Sequence, residues 1–386
     1  MPEAKSTKVG FLFNHEQTHQ IAHSLPVALA LKREAPEIDV ALISSSEKQS
    51  AEIRRLEARF GTPGCRLVEI AAPQSLLSRW LGALAPVDRL AALRANLDLF
   101  AGLDLLVVPE KTSLLLKTRF GLSTLKFVHT RHGAGDRAVG FDKSSGLFDL
   151  VLLSGQKIAD RLDAAGLLRR HAIVGYPKFD TVDLQARPDP FGNGRPTVMY
   201  NPHPAPHLSS WYRWGRDVLE FFRTSPHYNL IFAPHVMLFR RRLHIGLDPL
   251  RAAVTGRVPE NLRGLPHVLI DEGSAKSVDM THTLSADLYL GEASSQIYEF
   301  LARPRPCLFL DAHQTPWQGD ANFAHWQAGP VLGDIRQLGT ALEQAFASHA
   351  QYRPVQERLF AYSFDLTDTP SSTRAARAIL KFLAEA

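Results

Sequence analysis

Histidines, hydroxyls and carboxylates recur in this chain directly after short apolar runs, where a strand would end and a loop begin. Leu125–His129 runs into Thr130-Arg131-His132-Gly133-Ala134-Gly135-Asp136-Arg137. Thr197–Asn201 is followed by Pro202-His203-Pro204, and Asn229–Ala233 by Pro234-His235-Val236. Leu288-Tyr289-Leu290 leads into Gly291-Glu292-Ala293-Ser294-Ser295, and Glu299 lies one helical turn beyond the second serine. An imidazole can take or give a proton near neutral pH. Serine hydroxyls and the unpaired N–H groups of a helix start suit phosphate oxygens, and Arg131 and Arg137 add positive charge. The set fits acid–base work beside a phosphate. Each member also has a plain structural reading: His132 as a loop cap, His235 as a packed loop histidine, the serines as a helix cap, Glu299 as a solvated helix residue. His203 and His207 form H-x-x-x-H, but the prolines between them rule out a helical metal pair, and no acidic third ligand is evident. Neither a metal nor a cofactor is expected.

The stretch Leu284–Asp311 shows how such residues would be positioned. It reads as a buried strand, a small-residue loop, a helix with Ile297, Phe300 and Leu301 at helical spacing, and a second strand at Cys307–Leu310. Pro304 and Pro306 stop the helix. Ligands of open parallel sheets gather at loops of this kind. The rhythm recurs from the start of the chain. Strands are predicted over 8–14, 38–44 and 65–70, separated by helices over 15–34 and 46–60; Pro26 must kink the first helix or mark its start. His15-Glu16 closes the first strand, as an acceptor contact or a surface pair. Further strands are predicted at 103–109, 125–129 and 147–153, with a helix over 112–120. After 184–196, which holds three prolines and two glycines, come a strand at 197–201, a helix over 211–224, strands at 229–233 and 267–271, and late helices over 334–347 and 371–383. Alternation of this kind predicts parallel, doubly wound sheets.

Gln74–Phe100 departs from the rhythm. Leu76, Leu77, Trp80, Leu81 and Leu84 can share a helix face beside Arg79, which would lie in a membrane interface or pack on its own domain. Arg240, Arg241 and Arg242 are a solvated face or a surface for an anionic acceptor or lipid.

The chain has 386 residues, 45% of them hydrophobic and 22% charged, enough for two domains with their own cores. No apolar run approaches the roughly 20 residues of a membrane span. The N-terminus runs straight into a strand, with no signal-peptide pattern. Cys65 and Cys307 form no disulfide framework or metal spacing, which points to a reduced, cytoplasmic setting. A net charge of +5 and a pI near 9.2 suit anionic substrates or an anionic membrane surface but are too dispersed for nucleic acid.

At these residues the chain resembles the CDP-glycerol glycerophosphotransferase family, the teichoic-acid primases and polymerases. That family carries an HG loop, here His132-Gly133, and an A-P-T loop, here Asn201-Pro202-His203. Its R-P-H-P element is here Ala233-Pro234-His235-Val236, and its S-D-x-x-I-T-D-Y-S-S-x-x-F-E-F segment is here Ala286–Phe300. Ala233, Gly291, Glu292 and Ala293 depart from that pattern, and nothing before Val128 matches it. The resemblance implies a GT-B fold, α/β, with two Rossmann-like doubly wound domains facing across a cleft. These would be an acceptor-side domain over 1–185, a linker over 186–196 and a nucleotide-donor domain over 197–386, with the last helix free to pack back on the first domain. It implies transfer of glycerol phosphate, or a related polyol phosphate, from a CDP-activated donor to a hydroxyl of a cell-surface glycan or lipid-linked acceptor. His132 would be the base and His235 would contact the pyrophosphate and help CMP leave. Arg131, Gly133, His203, Glu292, Ser294, Ser295 and Glu299 would bind the donor. The enzyme would work in the cytoplasm, with contact to the inner membrane face as a further expectation. Two alternatives stay open: a GT-B glycosyltransferase using a nucleotide sugar, and a nucleotide-binding relative without turnover. A sugar-nucleotide 2-epimerase shares the architecture, but its acidic H-x-E-A-G loop is here His129–Gly135 without the glutamate.

Overall fold

Apolar runs of two to six residues build two parallel sheets in this chain, seen in a computed structural model that describes residues 6–15, 18–61, 64–70, 87–131, 133–136, 143–247 and 250–385. The chain divides into two units, Met1–His132 with Val139–Val182 and Tyr362–Ala386, and Gly133–Ala138 with Asp183–Ala361.

In the first unit the strands are β1 (Lys8–Phe13), β2 (Asp39–Ser44), β3 (Arg66–Glu69), β4 (Leu105–Val108), β5 (Lys126–Thr130), β6 (Leu150–Leu153) and β7 (His171–Ile173). They pair in parallel in the order β3-β2-β1-β4-β5-β6-β7. Alternate residues feed opposite faces, as the pleat requires. Val9, Phe11, Val40 and Leu42 join one core, and Leu12, Ala41, Ile43 and Leu106 the other. Helix Ile21–Glu34 covers the first face; Pro26 lies inside it rather than at its start. Helix Ser371–Ala384 places Ala375, Ala376, Ile379 and Phe382 in that same core, so the end of the chain belongs to the first unit.

The second unit holds β8 (Thr197–Asn201), β9 (Asn229–Phe232), β10 (Leu243–Leu247), β11 (Leu250–Val254), β12 (Val268–Ile270), β13 (Leu288–Gly291), β14 (Cys307–Leu310) and β15 (Val331–Leu332). Six of them form a parallel sheet in the order β12-β9-β8-β13-β14-β15, while β10 and β11 make a separate antiparallel hairpin. Each main sheet reverses its strand order at one point, between β1 and β4 and between β8 and β13. Ligands of doubly wound sheets bind beyond the strand ends at such a point. Helix Trp211–Thr224 buries Trp211, Gly215, Val218, Leu219 and Phe222, one amphipathic stripe, against β8 and β9. The stretch 184–196, read as a linker, is tied to the second unit. Arg303 donates to the Ala186 carbonyl at 3.1 Å, and the Asn193 and Asn229 side-chain amides exchange hydrogen bonds of 2.8 and 2.9 Å.

The 112–120 helix shortens to a 3-10 turn, Thr112–Leu114, and a single α turn, Leu115–Thr118. The hairpin and a helix at His349–Ser363 add to the elements that the sequence pattern predicts. The Trp80 segment lies outside the described residues. Among those described, no helix is long and apolar enough to cross a membrane.

Candidate active site in the second unit

The strand ends at the β8–β13 reversal are locked together before any loop begins. Asn201 closes β8; its amide donates to the Ala233 carbonyl at 2.6 Å and its oxygen accepts from the Tyr289 hydroxyl at 3.3 Å, joining β8, β9 and β13. His203 and His235 follow, two and three residues past the ends of β8 and β9, with ring centroids 5.8 Å apart. Each ring is oriented by its own loop. The Ala205 N–H donates to His203 Nδ1 at 3.0 Å, and the Met237 N–H donates to His235 Nδ1 at 3.3 Å. A neutral ring that accepts at Nδ1 carries its hydrogen at Nε2 and donates there. Burial lowers the His235 pKa to about 4, so this ring is neutral near pH 7.

Glu292, chosen from sequence as a donor contact, does other work. Its carboxylate is 1% exposed. It accepts from the Ser210 N–H at 2.6 Å, the His203 N–H at 3.1 Å and the Ser210 hydroxyl at 3.1 Å. Burial raises its pKa to about 7, against the lowering effect of those donors. Glu292 therefore holds the His203 loop and the start of helix Trp211–Thr224 from a buried position. Ser294 accepts the Gln296 N–H at 3.2 Å, a capping bond, while Ser295 is exposed and caps nothing with its side chain. The helix they precede is only Gln296–Phe300, too short to bring much dipole to a phosphate. Glu299 is 4% exposed, so it is not a solvated helix residue.

Gly133 belongs to this unit and has φ +76°, a left-handed backbone that favours glycine. A β-carbon there would sit 3.6 Å from the Ser295 β-carbon, so the structure brings the HG glycine and the serine pair together. Three residues on, Asp136 is 2% exposed and accepts from the Tyr298 hydroxyl at 2.6 Å, from His325 Nδ1 at 2.8 Å and from the His325 N–H at 3.0 Å. His325 Nε2 meets the Glu292 carbonyl at 2.7 Å, and Trp326 Nε1 donates to that carbonyl at 2.6 Å. Asp136 and His325 thus brace the Glu292 loop through its backbone carbonyl, while Ser210 holds the carboxylate.

His203, His235, Gly133, Ser294 and Ser295 are the sequence-chosen residues that this unit gathers with accessible or half-buried side chains or backbone. Glu292 and Glu299 are buried beneath them. Arg131 directly follows β5 in the first unit, and His132 and Arg137 lie outside the described residues. Ser210, Tyr298, His325 and Trp326 carry no signal in the sequence that points to this site. Asp136 and His325 are 189 positions apart and carry no shared motif, so no spacing signal could have paired them. A separate cavity of about 450 Å³ opens between Asp311, Trp317, Trp326 and Tyr352, and none of the chosen residues lines it. No group of three or more metal-ligating side chains occurs among the described residues.

Two doubly wound units with this strand order define the class: the chain has the GT-B fold, α/β. Across 98% of its length it is similar to the UDP co-structure of S. aureus MnaA, with 13% identity, 97% of that chain covered and a TM-score of 0.64. It is likewise similar to a putative UDP-N-acetylglucosamine 2-epimerase from Listeria monocytogenes, with 12% identity, 96% of that chain covered and a TM-score of 0.61. The wall teichoic acid polymerase TagF matches at 12% identity over 98% of this chain and 90% of its own, with a TM-score of 0.62. By sequence, no family model and no curated protein matches. At these identities the likeness is one of fold.

Proposed function

We propose that the chain is a transferase that moves glycerol phosphate, or a related polyol phosphate, from a CDP-activated donor to a hydroxyl of a cell-surface glycan or lipid-linked acceptor. The observation that carries this reading is the His203–His235 pair. Two rings 5.8 Å apart, each accepting a loop N–H at Nδ1, stand beyond the strand ends where a doubly wound sheet takes a nucleotide. Nε2–H donors of this kind suit pyrophosphate oxygens. In the proposed reaction the acceptor oxygen attacks the β-phosphorus and a new O–P bond forms. The bond from that phosphorus to the bridging oxygen breaks, and CMP leaves with the electron pair. His132 takes the acceptor proton, and His235 Nε2–H stabilises the departing phosphate. Gly133, Arg131, Ser294 and Ser295 are the proposed donor contacts, and Glu292 acts through the loop it holds. TagF, a polymerase solved after soaking with CDPG, supports the transfer reading through its fold.

A second reading, nucleotide-sugar chemistry, is favoured by the likeness to the UDP-bound MnaA structure. Calorimetric titration with CDP-glycerol, CDP, CMP, UDP, UDP-GlcNAc and CMP-Kdo separates the two. Preference for CDP-glycerol, CDP or CMP is expected. Preference for UDP or UDP-GlcNAc, or for CMP-Kdo over CDP-glycerol, overturns the phosphotransfer reading.

A further inference from the structure

The β10–β11 hairpin presents an apolar face to solvent. Its register pairs Leu243 with Val254 and Ile245 with Ala252, so these four side chains share one face. Leu243 is 51% exposed, Ile245 58% and Val254 71%. The other face carries His244, whose Nε2 bonds to the Leu238 carbonyl at 2.8 Å, and so turns toward the body of the unit. The hairpin base is fixed. Thr255 donates its N–H to the Arg242 carbonyl at 2.9 Å and its hydroxyl to the Arg241 carbonyl at 2.8 Å, while Trp211 Nε1 donates to the Thr255 carbonyl at 2.6 Å. A two-stranded ribbon is only marginally stable alone, and one that keeps its apolar side outward calls for a partner.

The charge around the face says which partner. Residues 240–257 contain five arginines, Arg240, Arg241, Arg242, Arg251 and Arg257, against one acidic residue, Asp248. All five arginines are exposed. A second copy of the chain would bring the same arginines into opposition, which disfavours self-pairing through this face. An anionic lipid surface satisfies both features, since headgroups meet the guanidinium rim while Leu243, Ile245 and Val254 enter the boundary of the acyl region. We infer that the hairpin is a docking element for an anionic membrane surface. It rests on the hairpin alone and holds whichever donor the strand-end site takes.

Co-sedimentation of the full chain with vesicles tests it. The protein should sediment with vesicles of equal parts phosphatidylcholine and phosphatidylglycerol, remain in solution with phosphatidylcholine alone, and detach as salt is raised. Two variants divide the surface: Arg240→Glu with Arg241→Glu and Arg242→Glu, and Ile245→Ser with Val254→Ser. Each should lower partitioning by about 10-fold or more, with a melting temperature matching the native chain because every altered side chain is exposed. Equal sedimentation of native and variant chains, or equal binding to both vesicle types, overturns the proposal. So does an absence of vesicle binding together with self-association that Ile245→Ser abolishes, which would make a second copy the partner.

Discussion

A neutral imidazole and a buried carboxyl set the chemistry of the candidate site at the residue scale. His235, with its pKa lowered to about 4 by burial and Nδ1 occupied by the Met237 N–H, can donate a hydrogen bond but is a poor base. His235→Ala should therefore reduce turnover by roughly 10- to 100-fold. His235→Gln, which keeps a side-chain N–H, should recover part of the loss. In the proposed mechanism the acidic limb of the kcat/KM profile belongs to His132. That limb should persist in His235→Ala, while His132→Ala should lose it along with a factor on the order of 100 in turnover. Donor affinity by calorimetry should stay nearly native in His132→Ala; its collapse would make His132 a binding residue. Glu292 gives a second test. Its pKa is raised from 4.5 to about 7, so between those values the folded chain holds a proton that the unfolded chain has released. Stability must then fall as pH rises through that window and level off above it. Glu292→Gln removes the slope, a relative gain of up to about 3 kcal/mol by pH 8 in urea melts. Donor affinity should change little, because the glutamine still accepts from Ser210 and His203. A large loss would return Glu292 to the ligand.

At the scale of elements, the short helices around the site depend on one buried guanidinium. Arg305 is 8% exposed and donates to the carbonyls of Thr283 at 3.0 Å, Ala286 at 2.5 Å and Phe300 at 2.8 Å. It also stacks 3.8 Å from the Phe300 ring centroid. The guanidinium thereby supplies donors to the ends of helices Thr281–Ser285 and Gln296–Phe300. Burial lowers its pKa to about 9, which still leaves it charged at neutral pH. Arg305→Met keeps the volume and removes the guanidinium donor from four carbonyls, that of Arg303 at 3.0 Å included, so it should cost about 3 kcal/mol in urea melts. In the sequence Pro304 and Pro306 mark the end of the helix, and nothing sets Arg305 between them apart. The hairpin was hidden for another reason. Its apolar positions do alternate, but they face outward and adjoin an arginine run that reads as a solvated surface. Pro354, inside helix His349–Ser363, disguised that helix in the same way.

Across the whole molecule, the two sheets share one winding pattern, and each reverses at a single point. In the second unit the edge of that sheet is pinned by Asp271, which follows β12. Its carboxylate meets His282 Nε2 at 2.6 Å and accepts from the Ser274 N–H at 2.7 Å and the Gly273 N–H at 3.0 Å. Burial pushes its pKa up, but these bonds outweigh it and hold the group well below the usual carboxylate range. A depressed carboxylate stabilises above its unfolded value and loses that contribution as pH falls toward the folded one. Unfolding of the second unit should therefore steepen below about pH 4, and Asp271→Asn should cost about 2 kcal/mol at pH 7 while flattening that acid limb. An Asn variant as acid-sensitive as the native chain would remove Asp271 from this role.

The sequence by itself determined the α/β alternation and which loops leave the carboxyl ends of strands, because strand and helix periodicities are local properties of the chain. It also marks His203, His235 and the serine pair as candidates for one site, since each follows a strand end. Only the tertiary structure decided their chemistry. Glu292 and Glu299 read as donor contacts in sequence, and packing from distant elements buries both. The tautomer of His235 follows from a loop N–H, and the Asp136–His325 contact joins positions 189 apart. Burial and partner atoms set protonation, and both are products of the completed fold.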